Sequence, residues 1–226
     1  MRYALRSLSR SPGFSLLVVL TLALGIGANT AVFSVLRGVL LRPLPHADGE
    51  RLMYVRQSAE LLGLENALFS VPEIVDYREA STSLTGFAEF SQMQFNMLGG
   101  ERPVQVEAGI VTGNYFEVMG LEAVVGRTLT PDDDGPEADP VMMLTWDYWQ
   151  SAFGGDPGVL GRVLRMNGRS VTVVGVAEPA PPFPGDTDIL VNMVTSPHHL
   201  DATMVHGRSH RMTEVFARLA HGATVA

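Results

Sequence analysis

The chain has 226 residues, of which 46% are hydrophobic and none is cysteine, so a core can form without disulfides or thiolate metal sites. Its formal net charge is -8 and it contains no lysine, which argues against a nucleic-acid partner because phosphate neutralisation requires clustered cations. Residues 1–42 carry five arginines and no acid, whereas the remainder carries 11 arginines and 24 carboxylates.

The basic head leads into a long uncharged run. No charged residue occurs from Phe14 to Leu36, and as a helix that run would extend roughly 34 Å, slightly more than the ~30 Å core of a bilayer. A secretory signal has an apolar centre of only about 7 to 15 residues, whereas apolar character here resumes after Asn29. We therefore predict a basic amphipathic segment over 1–13 and a retained transmembrane helix over 14–41. The alternative is a secreted binding domain released by cleavage.

Arginines on either side of this run predict its orientation. Three of them lie within residues 1–13, and short basic flanks tend to stay in the cytoplasm. Arg37 and Arg42 follow the run and favour the opposite orientation. However, the side of the membrane on which the long acidic segment after them lies depends less on flanking charge. We expect a cytoplasmic amino terminus, residues 42–226 outside the cytoplasm, and the lipid bilayer as a partner.

Two glycines in the predicted span raise a nucleotide-binding alternative. Gly25 and Gly27 begin a G-x-G-x-x-T pattern, and Asp48 follows at about the distance of the ribose-binding acid in a dinucleotide fingerprint. However, the third glycine is missing, and Asp48 lies in a proline-rich turn rather than after a strand. The pattern therefore predicts no nucleotide site, and we expect no cofactor.

The small residues of the span have a second interpretation. Ala23, Gly27 and Ala31 recur every four residues, which places them on one face of a helix and allows a second helix to approach closely. Asn29 lies beside this face and could donate a hydrogen bond to the neighbouring helix. We predict these four residues as helix-packing sites.

Beyond the span, the first signals predict a mixture of strands and helices. The segment LMYVRQS, residues 52–58, predicts a strand, and Ser70 with Glu73 forms a capping box that begins a helix. Apolar residues alternate with polar ones in 93–97 and again in 104–110. These two segments predict a β-hairpin.

The second half continues in the same way. The acidic segment 130–140 predicts a solvated loop, and 141–144 is a short apolar run that predicts a buried strand leading into a helix capped by Thr145. Asn167-Gly168 is the preferred pair for a type I′ turn between two strands. Hairpins with interspersed helices predict an α+β domain.

A histidine-rich segment is the first candidate for chemistry. Four of the histidines fall within 13 residues: His198, His199, His206 and His210. His206 and His210 have the i, i+4 spacing with which two imidazoles on a helix bind zinc. No helix is signalled there and no Glu completes an H-E-x-x-H motif, so we expect a polar surface loop without a metal. A membrane-anchored extracytoplasmic metal-dependent hydrolase is the alternative.

Other candidates are weaker. Asp132, Asp133 and Asp134 lack the D-x-D-x-D-G spacing of a calcium loop, and no G-x-S-x-G motif presents a nucleophilic serine. Trp146 and Trp149 could stack on a ligand, but their helical spacing is more typical of a core. We therefore predict no catalytic residue, and a protein that is not an enzyme.

Several segments carry a family likeness when taken in order: LGIGANTAVFSVLRGVLLRPLP, SVPEIVDYRE, GNYFEVMGLEAVVGRTLTPDDD, PVMMLTWDYWQSAFGGDP, VLGRVLRMNGRSVTVVGV and FARLAHGATV. The series resembles the MacB-like ABC transporter permeases, most closely their duplicated-permease branch. The resemblance extends over essentially the whole chain.

This resemblance implies an organisation and a function. Residues 14–41 would be the first transmembrane helix, and 42–226 part of the extracytoplasmic core domain of a permease in the bacterial cytoplasmic membrane. Members act as dimers of permease copies or halves with a separate cytoplasmic ABC ATPase, and couple ATP-driven helix movement to the outer domain in export. Such permeases continue into further spans that this sequence lacks, so we expect an N-terminal fragment.

Overall fold

The structure, a computed structural model, describes residues 12–40, 48–59, 63–98, 103–135, 137–181 and 184–224. The chain divides into two compact units, Met1–Leu44 and Pro45–Ala226. Most of the predicted basic segment 1–13 lies outside the described residues, as does the turn of the hairpin predicted between residues 93 and 110.

The first unit contains one long helix, α1, which extends from Pro12 to Leu40. Its 29 residues rise roughly 43 Å at 1.5 Å per residue. The bounds of α1 lie within two residues of those predicted for the transmembrane helix over 14–41.

The second unit contains the remaining helices and all the described strands. The helices are α2 (Val71–Ala80), α3 (Tyr115–Met119), α4 (Trp146–Phe153) and α5 (Ala202–His206). The strands are β1 (Leu52–Val55), β2 (Gln57–Ala59), β3 (Leu64–Ala67), β4 (Leu84–Leu98), β5 (Val104–Val111), β6 (Ala123–Gly126), β7 (Val141–Leu144), β8 (Val163–Met166), β9 (Arg169–Ala177), β10 (Ile189–Asn192) and β11 (Glu214–Leu219).

Most of these strands belong to one mixed sheet. Its order is β1-β11-β4-β5-β10-β7-β9-β6, and β8 pairs with both β4 and β9. The β5–β10 and β7–β9 pairs are parallel and the other pairs are antiparallel. β2 and β3 form a separate antiparallel ribbon. Together with the interspersed helices, this sheet confirms the predicted α+β class.

Both faces of the sheet are covered, which explains the continuous apolar run of β7. Val141 and Met143 belong to one hydrophobic cluster, whereas Met142 and Leu144 belong to another. Successive side chains of a strand point to opposite faces, so the two clusters lie on opposite sides of the sheet. The strand is buried along its whole length, as predicted from its sequence.

Local signals begin and end the elements where they were predicted. The Ser70 amide donates to the Glu73 carboxylate at 3.0 Å and begins α2. Asn167 and Gly168 have φ angles of 44° and 87°, so both occupy the left-handed region that a type I′ turn requires. They join β8 to β9 in register, which confirms the predicted hairpin.

Candidate functional site

The surface of α1 is apolar around its circumference. The stretch from Pro12 to Ser34 has a mean hydropathy of 2.1, and none of it is buried. Large apolar side chains such as Phe14 and Leu24 are 70% and 80% exposed. A helix that is apolar on every side requires lipid or protein around it. By length and composition this helix can cross a membrane.

Two hydroxyls of α1 are satisfied within the helix. The hydroxyls of Thr21 and Thr30 each donate to a carbonyl one turn earlier, those of Leu17 and Ile26, at 2.8 Å. Such internal bonds remove the cost of placing a hydroxyl in hydrocarbon. The two threonines of α1 are therefore compatible with a membrane environment.

The predicted helix-packing residues lie on the exposed surface of α1. Ala23, Gly27, Asn29 and Ala31 are all exposed, and a Cβ added at Gly27 would have no atom within 4 Å. Space for a neighbouring helix is therefore present, while its occupation stays a prediction. Gly25 lies in the interior of the same helix rather than at a strand-to-helix turn, so the glycines do not form a phosphate-binding loop.

The acidic loop differs from its prediction. Asp133 is buried, and its carboxylate accepts hydrogen bonds from the Arg127 guanidinium at 2.6 and 2.8 Å and from the Thr130 amide at 2.8 Å. Burial alone would raise the pKa of Asp133, but Arg127 and Thr130 outweigh burial and lower it. The prediction of a solvated loop was wrong for this residue, because Arg127 and Thr130 satisfy its carboxylate and Asn192 holds the loop against the sheet.

Sequence reasoning also missed Asn192, which holds the acidic loop against the sheet. Its buried amide nitrogen donates to the carbonyl oxygens of Asp133 and Asp139, each at 2.9 Å. Its oxygen accepts from the Val141 amide at 3.1 Å and the Thr195 hydroxyl at 2.7 Å. All four hydrogen-bonding positions of the amide are used, so Asn192 has a structural role.

A groove of about 440 Å³ lies beside α4. Its lining is acidic and aromatic and includes Glu107, Asp147, Glu178, Asp186, Asp188, Tyr115, Trp146 and Tyr148. The Asp188 carboxylate is held in place by the Glu107 amide, which donates to it at 2.9 Å. Burial, and then the charge of Asp188, raises the pKa of Tyr148. None of the described lining residues is basic, so the groove favours a cationic group over an anion.

The two tryptophans of α4 differ in their surroundings. Trp149 is buried and its indole N–H donates to the Asp156 carbonyl at 2.9 Å, as expected for a core residue. Trp146 is only partly buried and lines the groove. Its helical spacing predicted the packing but gave no indication of the groove, which depends on strands distant in sequence.

The histidine-rich segment lies mostly at the surface, as predicted, but it forms short helices rather than a loop alone. Pro197–Leu200 forms a 3-10 turn, and Asp201 begins α5 by accepting a hydrogen bond from the Thr203 amide at 2.8 Å. His199 is buried, and its Nδ1 lies 3.0 Å from the Ser196 hydroxyl. Burial, reinforced by His198 and His210, lowers the pKa of His199 to about 4. The prediction that no helix forms here was wrong, because the Asp201 cap was not taken as a helix start.

The structure brings together a different histidine pair from the predicted one. His206 is exposed at the end of α5, whereas His210 contacts His198, with 3.1 Å between their Nε2 atoms. The Met212 sulfur lies 3.2 Å from the His198 Nε2 and 3.3 Å from the His210 Nε2. Within the described part of the chain, no three histidine, aspartate or glutamate side chains form a metal-ligand group.

Comparison with known sequences identifies a family and two relatives that this chain resembles. The family described as the MacB-like periplasmic core domain matches residues 15–226. Macrolide export ATP-binding/permease proteins MacB from Salmonella paratyphi A and Salmonella typhi are each 28% identical over 110 residues. Those alignments cover 49% of this chain and 16% of each relative, so the relatives are much longer than the part matched.

Comparison with solved structures supports the fold. A permease-protein domain from Porphyromonas gingivalis superimposes with a TM-score of 0.61 and 18% identity, covering 80% of this chain and 79% of that one. The periplasmic region of MacB from Actinobacillus actinomycetemcomitans gives a TM-score of 0.54 at 15% identity, covering 76% and 75%. At these identities the similarity shows a shared α+β architecture.

Proposed function

The chain belongs to the family of MacB-like periplasmic core domains of ABC transporter permeases, and on this basis we propose that it is a non-catalytic permease component working in export. In this proposal α1 anchors the chain in the bacterial cytoplasmic membrane and residues 42–226 lie outside the cytoplasm. ATP-driven movement of the membrane helices is passed to this outer domain.

The observation that carries the proposal is the joining of α1 to the α+β domain in one chain. The helix has an exposed apolar surface and the length to cross a bilayer. The whole chain has a net charge of -8 although residues 1–42 are basic, so the negative charge lies in the α+β domain. Basic residues before the helix favour a cytoplasmic amino terminus. The acidic domain would then be the part that leaves the cytoplasm.

The proposal includes partners. The exposed apolar surface of α1 favours a second permease copy or half beside it in the membrane. Ala23, Gly27 and Ala31 provide the face through which α1 would pack, with Asn29 beside it. We assign ATP hydrolysis to a separate cytoplasmic ABC ATPase. The Salmonella relatives are named as combined ATP-binding/permease proteins, so an ATPase on the same polypeptide is the alternative arrangement.

Topology is tested with single cysteines, since the chain contains none of its own. Ser7→Cys lies in the basic segment, and Ala80→Cys lies at an exposed position at the end of α2. A membrane-impermeant maleimide should label Ala80→Cys in intact cells and Ser7→Cys only after lysis. The reverse pattern, or release of Ala80→Cys into the soluble fraction with a shortened amino terminus, would overturn the proposed anchoring.

Coupling is tested with the same Ala80→Cys variant carrying a spin label in native membranes. ATP should change the mobility of the label, and ATP with vanadate should hold it in one state. Membranes in which the ATPase subunit is deleted should show no response to ATP. A spin-label spectrum that does not change when ATP is added in the presence of the ATPase would refute coupling. The proposed membrane topology would be unaffected by that result.

A further inference from the structure

Three side chains of residues 198–212 place metal-binding atoms within 3.3 Å of one another. His198 comes from the 3-10 turn Pro197–Leu200, whereas His210 and Met212 come from the segment that leads into β11. The three edges between the His198 Nε2, the His210 Nε2 and the Met212 sulfur measure 3.1, 3.2 and 3.3 Å. These atoms therefore form a nearly equilateral triangle.

The size of the triangle suits a metal ion. A point equidistant from its corners lies about 1.9 Å from each atom, as follows from the three edges. For comparison, zinc binds imidazole nitrogen at roughly 2.0 to 2.1 Å and sulfur at roughly 2.3 Å. An ion about 1 Å above the plane would lie about 2.1 Å from all three atoms, as follows from the same three edges. The triangle is thus close to a three-coordinate ligand set of two imidazole nitrogens and one thioether sulfur.

The chemistry of the three atoms also favours a cation between them. Two neutral imidazoles can share one proton in a hydrogen bond, but the thioether sulfur has no proton to donate and accepts hydrogen bonds weakly. A cation at the centre would interact with all three lone pairs at once. His198, His210 and Met212 are each partly buried, so the position is shielded while remaining accessible to an ion.

Neighbouring charges do not oppose a cation. The Asp201 carboxylate lies close enough to both His198 and His210 to interact with them electrostatically. Arg211 lies between two of the proposed ligands in sequence, but its guanidinium is paired with the Glu73 carboxylate at 2.5 Å. The uncharged ring of His199 packs edge-on against His198, with 5.7 Å between the ring centroids.

The donor set selects the kind of metal. Thioether ligands favour soft ions such as Cu(I), whereas magnesium, calcium and manganese prefer oxygen. A blue-copper site requires a cysteine thiolate, and this chain contains no cysteine. We propose that His198, His210 and Met212 form a binding site for a single Cu(I) ion. This assignment does not depend on the transport function proposed above.

The experiment is an anaerobic titration of the full chain, in lipid nanodiscs, with Cu(I) against a chromophoric Cu(I) chelator. We expect one Cu(I) per chain. His198→Gln and His210→Gln should remove competitive binding, and Met212→Leu should weaken it roughly tenfold to hundredfold, the loss that even outer-shell changes at metal sites produce. X-ray absorption of the loaded chain should show sulfur among the copper ligands, and that signal should vanish in Met212→Leu.

Matched controls separate this site from other histidines and methionines. His206→Gln changes an exposed histidine of the same segment, and Met53→Leu changes a methionine of β1. Both should retain full binding. Circular dichroism checks that each variant is folded, and Ag(I), as a second soft ion, should raise the unfolding temperature of the parent chain but not of Met212→Leu. Absence of stoichiometric Cu(I), equal losses in His206→Gln, or a copper spectrum without sulfur would each overturn the proposal.

Discussion

The Arg127 guanidinium binds the Asp133 carboxylate through two hydrogen bonds, of 2.6 and 2.8 Å, and this pair ties the acidic loop to the end of β6. Asp133→Ala should destabilise the domain by about 2 kcal/mol, since charge-assisted bonds are lost but Arg127 is half exposed and partly screened. Thermal unfolding followed by tryptophan fluorescence measures the loss. Asp132→Ala, an exposed neighbour in the same loop, should unfold like the parent chain, and equal losses in both variants would contradict the assigned role.

A second ion pair gives the protein a predictable dependence on acid. The Glu73 carboxylate accepts hydrogen bonds from the Arg211 guanidinium at 2.5 Å and the Ser70 amide at 3.0 Å. Burial alone would raise the pKa of Glu73, but Arg211, Ser70 and Gln57 lower it from 4.5 to about 2. The unfolded chain therefore binds this proton more readily than the folded one. The contribution of Glu73 to stability is complete above pH 4.5 and is lost as the pH falls toward 2.

Glu73→Gln tests this dependence. The free energy of unfolding in urea should be lower than that of the parent chain near neutral pH, and it should fall less steeply between pH 4.5 and 2, the two pKa values of Glu73. Glu79→Gln removes an exposed carboxylate from the same helix and should leave both the stability and the slope unchanged. A Glu73→Gln chain with the parent's pH slope would show that other carboxylates control acid unfolding.

A side chain added at Gly109 is expected to destabilise the domain. A Cβ at this position of β5 would lie 2.4 Å from the Phe90 ring and 2.7 Å from a methyl group of Leu190. Gly109→Ala should therefore cost about 1 to 3 kcal/mol through overpacking. The double variant Gly109→Ala/Phe90→Leu should lose less than the two single changes combined, because the smaller side chain relieves the clash. Simple additivity in urea unfolding would mean that the backbone, rather than Phe90, absorbs the strain.

Features of the fold that depend on contacts within a few residues could be predicted from the sequence, whereas features that depend on residues distant in the chain could not. The Ser70 cap of α2 and the Asn167-Gly168 turn each rest on contacts within a few residues, and the structure confirms both. β11 lies between β1 and β4 in the sheet, and no local pattern indicates that placement. The same limit explains the acidic loop, which Asn192 holds against the sheet from 59 residues away along the chain, and the contact between His198 and His210, which requires the intervening α5.

The predicted packing face of α1 is tested by two glycines of the same helix. Gly27 belongs to the face of Ala23 and Ala31, whereas Gly25 is rotated from Gly27 by roughly 200° around the axis. Both are exposed, and an added Cβ meets no atom within 4 Å at either position. A leucine at either position is thus accommodated in an isolated helix. The two substitutions differ only in the face that they alter.

If α1 packs against a second copy through its small residues, Gly27→Leu should weaken association by at least about 1 kcal/mol, because the larger side chain separates the helix backbones. Gly25→Leu should associate like the parent chain. Energy transfer between labelled copies in liposomes, at a fixed ratio of protein to lipid, measures the difference. Tryptophan fluorescence should be the same in all three chains, since both tryptophans belong to α4. Equal association of Gly27→Leu and Gly25→Leu would reject this face as the site of helix packing, because the effect of the leucine would then not depend on the face that it alters.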